Sequence, residues 1–589
     1  MKLYLLLLIL LLVPFASAST LYVDINDGSC SDAYTHTQAQ NSATPWCTFT
    51  QGLSGAESGD IILFAEGTYN QANSYSLSGA DYATETTFKA NEEGVIISNY
   101  ISNFYTPSGN WNNQSSGIWN FTYSTGAGYL SVMRGDTNET LMLYTSYTDV
   151  IDTSLPEGCY FDTTPNVLWC RFDDTGFSPN DISMIVSKGV MLTLADVSNV
   201  RIEGMTFLGG LKAIYVSSAS QSYNITIYNN SIIGTTGTSG SVGTGIIDIR
   251  GAHKVNLTNN YVEQKRSDLW DWTTTKGSPL EVSAIRFEDC YEDILVDKNS
   301  VDGSFNGIMF LTSSTSYNNG IIISNNNITD MIDDGIELES YGVGSIIIGN
   351  KVDDAFIGLS IIPYDSSTGL TNISYNIFSA DKYNLYSLPS TYYYGEAIKL
   401  DGDGTDSADN ILLDHNTFVG RGVYAGSADD NIMNDVNFTN NIFYSPTSQR
   451  ILAKSGLASD GVFYDYNLYY RTDAGALFKY WNDDTSTTEF STLSSALASG
   501  QWDGTWDSNS EQGNPSMSDY IPEAGNIACT MSSTGSYVGA VPCQLTPSSC
   551  SGQRGIICNT IGCYYELAEC TESSAVRAWG TICTLVGCS

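Results

Sequence analysis

Along residues 200 to 467 short aliphatic runs recur, each ending in a polar pair: VRIEGM, ITIYNN, VNLTNN, ILVDKN, IIISNN, IIIGN, NISYN, ILLDHN, VNFTNN and VFYDYN. Apolar and polar residues alternate within most of them, the period of a half-buried strand. The last residue of each phrase falls at Met205, Asn230, Asn260, Asn299, Asn326, Asn350, Asn376, Asn416, Asn441 and Asn467. The short intervals, 326 to 350 and 416 to 441, have the length of one coil of a solenoid. Stacked coils would place Val, Ile and Leu inside. They would also place one Asn above another, where each can hydrogen-bond turn backbone that is otherwise stranded.

Each coil carries a second short run with one inward aliphatic: Ile214, Ile247, Ile285, Ile308, Ile336, Leu359, Ile398 and Val423. Side chains alternate along a strand, so the next residue faces outward. That outward column reads Tyr215, Asp248, Arg286, Met309, Glu337, Ser360, Lys399, Tyr424. Two residues on, a parallel column reads Ser217, Arg250, Glu288, Leu311, Glu339, Ile362, Asp401, Gly426. Charges of both signs gather in the middle coils, around Asn318 to Asn350, where Asp333 and Asp334 precede Glu337 and Glu339. The coils containing Asp248, Arg286 and Lys399 are long, and each is lengthened in the loop just before this column. Two of these loops carry Trp270-Asp271-Trp272 and Tyr392-Tyr393-Tyr394, flat surfaces for a sugar ring or packing for the loops themselves.

Outside the repeat the pattern changes. Residues 1 to 18 have Lys2, an apolar run and an Ala16-Ser17-Ala18 ending, the form of a secretory signal. Residues 19–87 read as an N-terminal cap with the first coils. Residues 88–190, with aromatics among Gly, Asn and Pro, read as an inserted β-rich subdomain whose aromatics form its own core. Residues 191–470 are the parallel β-helix, 471–543 a looser β extension, and 544–589 a Cys-rich tail that either covers the end of the solenoid or attaches the protein.

The N-terminal phrases SATPWCTFTQGL and SGDIILFAEGTY, with the later Asn-terminated coils, resemble the secreted right-handed parallel β-helix proteins of the pectate-lyase-like class, the pectin lyase fold. The resemblance implies an all-β, right-handed parallel β-helix and an association with acidic or neutral polysaccharides. It fixes no activity, because such proteins include lyases, hydrolases, epimerases and non-catalytic surface proteins.

A formal charge of -40 argues against nucleic acid and anionic membranes as partners. No apolar run reaches the roughly 20 residues of a membrane span. Cys30 with Cys47 and Cys159 with Cys170 sit as local pairs and Cys290 is left over, so disulfides and a secreted, extracellular or cell-surface monomer are expected. The tail has no CxxC pair or nearby His for zinc.

The charged column admits two chemistries. β-Elimination from a uronate needs its carboxylate neutralised by Ca²⁺ or Arg and a base for the C5 proton. Lys399 or Arg286 would be that base, with Glu337 in the catalytic set and Asp333, Asp334, Glu337 and Glu339 as oxygen ligands for Ca²⁺. Trp270, Trp272, Tyr393, Tyr394, Asp248 and Asp401 would then bind substrate. Hydrolysis instead needs two carboxyl groups, and Glu337 and Glu339 lie roughly 6.7 Å apart along a strand. A third reading is a non-catalytic adhesion protein with Arg286, Glu337 and Lys399 in a surface ion-pair ladder. Among these, elimination on an extended glycan is the leading expectation.

Overall fold

The computed structural model describes most of the chain from residue 18 to residue 543; the longest segments left out are 102–109, 124–130, 236–243, 312–319, 381–395, 401–407, 426–432 and 501–507. The expected fold is the one observed. Three sheets of 13 strands each, parallel except for the last strand of the third, run the length of the molecule, and successive coils contribute one strand to each. The first sheet holds the strands that end at the Asn turn, such as Ile321–Ser324, and the second the strands that leave it, such as Asn327–Met331. The third holds strands such as Asp334–Tyr341. The second sheet has no sequence signature of its own, because strands such as Ser231–Ile233 and Lys351–Asp353 are three residues long. One core of aliphatic and aromatic side chains runs between the sheets from Leu21 to Ala496.

The Asn ladder is continuous. The backbone N–H of Asn326 donates to Asn350 Oδ1 at 2.9 Å, and Asn326 Nδ2 donates to the same oxygen and to Val296 O. The pattern repeats from Asn230 to Asn467, where Ser510 Oγ takes over as acceptor. The residue before each ladder Asn turns the chain by adopting a left-handed conformation: Asn229, Asn259, Lys298, Asn325, Gly349, Tyr375, His415, Asn440 and Tyr466 all have φ between 54° and 68°. Lys, Tyr and His pay about 1–2 kcal/mol for that geometry, which the buried hydrogen bonds of the next residue offset. His415 is thus a turn residue, paired with Asp414 at 2.8 Å.

The ends and the insertion follow from the need to cover exposed sheet edges. Helix Phe49–Ser54, capped by Thr48, lays Phe49 against Phe64 and Tyr75 over the first coil, and Cys30–Cys47 closes the preceding loop. At the other end strand Ser486–Phe490 pairs antiparallel with Phe478–Asp483, and helix Leu493–Ala498 completes the core. Residues 513–540 then return along the second sheet, with Ala528 and Val538 packed against Ile442 and Leu468. Cys529–Cys543 ties that segment. Beyond 543 the described residues are a hairpin of Gly555–Asn559 and Gly562–Glu566.

Strands Asp81–Ala90 and Val95–Ser98 still belong to the solenoid, so the inserted sheet is built from residues after Ser98. It comprises Asn112–Ser115, Ile118–Thr122, Met142–Leu143, Gly158–Asp162 and Val167–Arg171. Cys159 and Cys170 face each other across two of its strands and are bonded. Trp111, Trp119, Phe121 and Tyr123 are buried in its own core. Among the described residues no helix is long and apolar enough to cross a membrane.

Candidate active site

The third sheet departs from simple alternation at one position per strand. Gly335 precedes the inward Ile336, yet a Cβ on Gly335 would meet Val352 Cγ1 at 2.2 Å, inside the core. The residues in register with it are Ala213, Ile246, Ala284, Gly307, Gly358 and Ala397, nearly all small, because two consecutive residues point inward there. The preceding residues in those strands are therefore turned out beside the expected column. Ser283 pairs with Asn306, and Asp334 with Ile357, which pairs with Glu396. Two outward columns thus flank two inward rows, one small and one aliphatic, and in one coil Asp334 and Glu337 stand in these columns with Asp333 just before the strand.

Asp333, Asp334 and Glu337 are 4 %, 5 % and 8 % exposed. Asn306 joins two of them: its Nδ2 donates to Glu337 Oε2 at 2.7 Å, and its Oδ1 accepts from the Asp334 backbone N–H at 3.1 Å. Asp333 is fixed through its backbone to Phe305 O and through its side chain to Lys276 Nζ at 3.1 Å. Asp334 Oδ1 is buried with no hydrogen-bond partner. Burial disfavours the charged form of all three, and repulsion from neighbouring carboxylates adds to it at Asp334 and Glu337. Glu337 is pushed up to about 8, by desolvation first and then by Asp333 and Glu339. Asp334 is raised well above the usual carboxylate range by burial, Asp333 and Glu337. Asp333 is also raised by burial, with Lys276, the adjacent Trp272 and Lys399 opposing. In turn the Lys276 ammonium is held charged, against its own desolvation, by Asp333, Glu281 and Asp334. The charge of each acid thus affects the others, and a proton is held most readily away from Lys276, on Asp334 or Glu337.

Lys276 comes from the long excursion before strand Val282–Glu288, just after the short helix Trp272–Thr275. It also pairs with Glu281 at 3.2 Å and lies 5.1 Å from the Phe305 ring centroid. The base of this excursion is packed by the inserted subdomain: Met142 forms a small apolar cluster with Trp270, Phe305 and Ile332, the neighbour of Asp333. A backbone hydrogen bond from Thr140 N–H to Lys265 O at 2.7 Å adds to this contact.

Other residues anticipated from the sequence fall in different places. Trp270 is 2 % exposed and buried in that cluster, and half-buried Trp272 packs against Phe356, so both rings anchor the excursion to the insertion and to neighbouring coils. Arg286 is two coils from Glu337 and belongs to a separate ion-pair cluster with Asp248 and Glu288, which removes it as a free base. Asp248 is fully buried there. Lys399 is half-buried next to the trio, and its charge lowers the carboxyl pKa values of all three. Glu339 is half-buried on the same strand. Tyr393, Tyr394 and Asp401 lie outside the described residues. Lys276, Glu281 and Asn306 were not anticipated. The signal for Asn306 was the small residue before each aliphatic in SAI, NGI, DGI and EAI, which marks a second outward column.

The residues do not fit Ca²⁺. Lys276 and Asn306 already occupy oxygens that six to eight-fold coordination would use. Among the described residues no three His, Cys, Asp or Glu side chains are disposed to hold a metal ion.

No protein-family model and no curated protein sequence matches the chain. Among solved structures it is similar to XylC in complex with xylose (TM-score 0.45, 11% identity, covering 79% of this chain and 86% of that one). It is also similar to a polygalacturonase from Erwinia carotovora ssp. carotovora (0.34, 12%, 79% and 94%). A third is PfbA, a surface adhesin of Streptococcus pneumoniae (0.29, 12%, 80% and 94%). At these values no residue role passes from those proteins to this chain.

Proposed function

We propose that the protein binds an extended glycan along the outer face of the third sheet, outside the cell, and cleaves it by hydrolysis. The observation that carries this reading is the trio Asp333, Asp334 and Glu337: neighbouring buried carboxyl groups, one paired with the Lys276 ammonium and the other two raised above the usual carboxylate range by burial and by the charge of adjacent carboxylates. Carboxyl groups with unequal environments are what acid-base cleavage of a glycosidic bond requires. Glu337 is the proton donor. As the anomeric C–O bond breaks, its proton passes to the leaving oxygen. Water adds to the anomeric carbon and gives its proton to Asp333, the member whose charge Lys276 stabilises. Asp334 Oδ1 is the free acceptor for a sugar hydroxyl.

Elimination, the leading expectation from the sequence, needs a base for the C5 proton, for which Lys399 and Arg286 were the candidates. Lys276 is held charged and Arg286 is tied to two carboxylates, which leaves Lys399 as its base. Product chemistry decides between the two. Incubation with neutral and uronate polysaccharides should release reducing ends without new ultraviolet absorbance, unaffected by EDTA. Glu337→Gln should lower the rate by about 10²–10⁴-fold. An unsaturated, absorbing product would overturn hydrolysis in favour of elimination. No product from any glycan, with binding unchanged in Glu337→Gln, would leave the adhesion reading.

A further inference from the structure

A second polar cluster lies on the same sheet face and takes no part in the chemistry above. Asp248, Arg286, Met309 and Glu337 occupy one column in consecutive coils, so Arg286 stands two strand spacings, about 10 Å, from Glu337. Asp248 is fully buried and receives Lys212, Arg250 at 3.0 Å and Arg286 at 3.4 Å. Glu288 receives Arg250 and Arg286, each at 2.9 Å. Three cations therefore meet two carboxylates. One positive charge is left over, in a chain whose formal charge is -40.

Three details show that this surplus is not quenched from within. Arg286 is 4 % exposed and enters both of its ion pairs through Nη1, while its buried Nε has no hydrogen-bond partner. Lys212, 6 % exposed, is pushed below its ordinary pKa by burial and by repulsion from Arg250 and Arg286, against the pull of Asp248. Arg250 and Lys212 both lie over the Tyr215 ring, at 5.7 and 4.6 Å, and the Arg250 side chain remains 33 % exposed. The buried guanidinium of Arg286 and the crowded ammonium of Lys212 keep the site positive from beneath, and the exposed fork of Arg250 is where an oxyanion would meet that charge. A planar fork of N–H donors matches the two oxygens of a carboxylate or the edge of a sulfate.

We propose that Lys212, Arg250 and Arg286 form a subsite for an anionic substituent, a carboxylate or a sulfate, carried by the glycan at a sugar on the N-terminal side of the carboxyl trio, with Met309 as the apolar floor between. This deepens the glycan-binding reading and rests on it. The substrate is then an acidic rather than a neutral polysaccharide, despite the acidity of the chain as a whole.

The test is equilibrium binding by titration calorimetry in the Glu337→Gln background, so that turnover plays no part and a failure of hydrolysis leaves the result intact. The probes are a galacturonate oligosaccharide, its carboxyl-reduced neutral counterpart and a sulfated galactan oligosaccharide. The expected result is at least tenfold tighter binding of one anionic probe than of the neutral one. That preference should shrink with added salt and disappear in Arg250→Gln, whose thermal melt should match the parent. Arg286→Lys, which keeps the charge but loses the fork, should lose most of it as well. Preference for only the galacturonate or only the sulfated probe identifies the anion. Equal affinity for neutral and anionic probes, or a preference unchanged in both variants, overturns the subsite.

Discussion

Glu337→Gln separates the electrostatic state of the trio from its packing. Gln keeps the size of Glu and an oxygen to accept from Asn306 Nδ2, so the 2.7 Å contact persists, but it cannot ionise. Raising the Glu337 carboxyl from its ordinary 4.5 to about 8 means that the native state binds this proton far more tightly than the unfolded chain. Between those two values the native state holds a proton that the unfolded state has released, so stability falls as pH rises through the interval. At about 1.4 kcal/mol per tenfold change in proton affinity, the full loss is on the order of 5 kcal/mol. Part of it is repulsion from Asp333 and Glu339, which readjusts as neighbours titrate, so about 2–4 kcal/mol should be seen. Denaturant midpoints read by near-ultraviolet circular dichroism at pH 5, 7 and 9 would measure it. The native protein should weaken steadily across the series, and Glu337→Gln should be much flatter and the more stable of the two at pH 9. Parallel curves would refute the claim that Glu337 holds its proton into the neutral range, and with it the assignment of Glu337 as proton donor.

Two further outcomes follow from other contacts. Asn350→Ala removes the acceptor of the Asn326 backbone N–H and Nδ2 and the donor to Ile323 O, leaving buried groups unpaired at about 1–3 kcal/mol each; the denaturant midpoint should report about 3–6 kcal/mol lost, with amide exchange fastest in the two flanking coils. Lys276→Met takes the direct cation from Asp333, so the acidic limb of the pH profile of kcat/KM should move up by about one pH unit, with Arg at the same position restoring most of it.

The periodicity of the chain was enough to specify the solenoid. A strand period of two, an Asn at coil spacing and inward aliphatics are local properties, repeated in each coil, and stacking in register turns them into columns that can be aligned within one sequence. That is why Glu337 and Lys399 were found on one face; the Cys159–Cys170 bond and the aromatic core of the insertion were expected on other grounds, the local pairing of cysteines and the run of aromatics where the repeat breaks. Two things were decided only by the tertiary structure. One is the paired inward residues at Gly335 and Ile336, which bring Asn306 and Asp334 beside Glu337; alternation alone conceals such a step, because it assigns the faces of a strand one residue at a time. The other is the path of long excursions. Lys276 reaches Asp333 across 57 residues of sequence, Met142 of the insertion packs against Trp270, and Arg286 turns away from the trio to Asp248 and Glu288. Loop length and composition do not encode such contacts, since a side chain on an excursion takes the partner that folding of the rest places within reach.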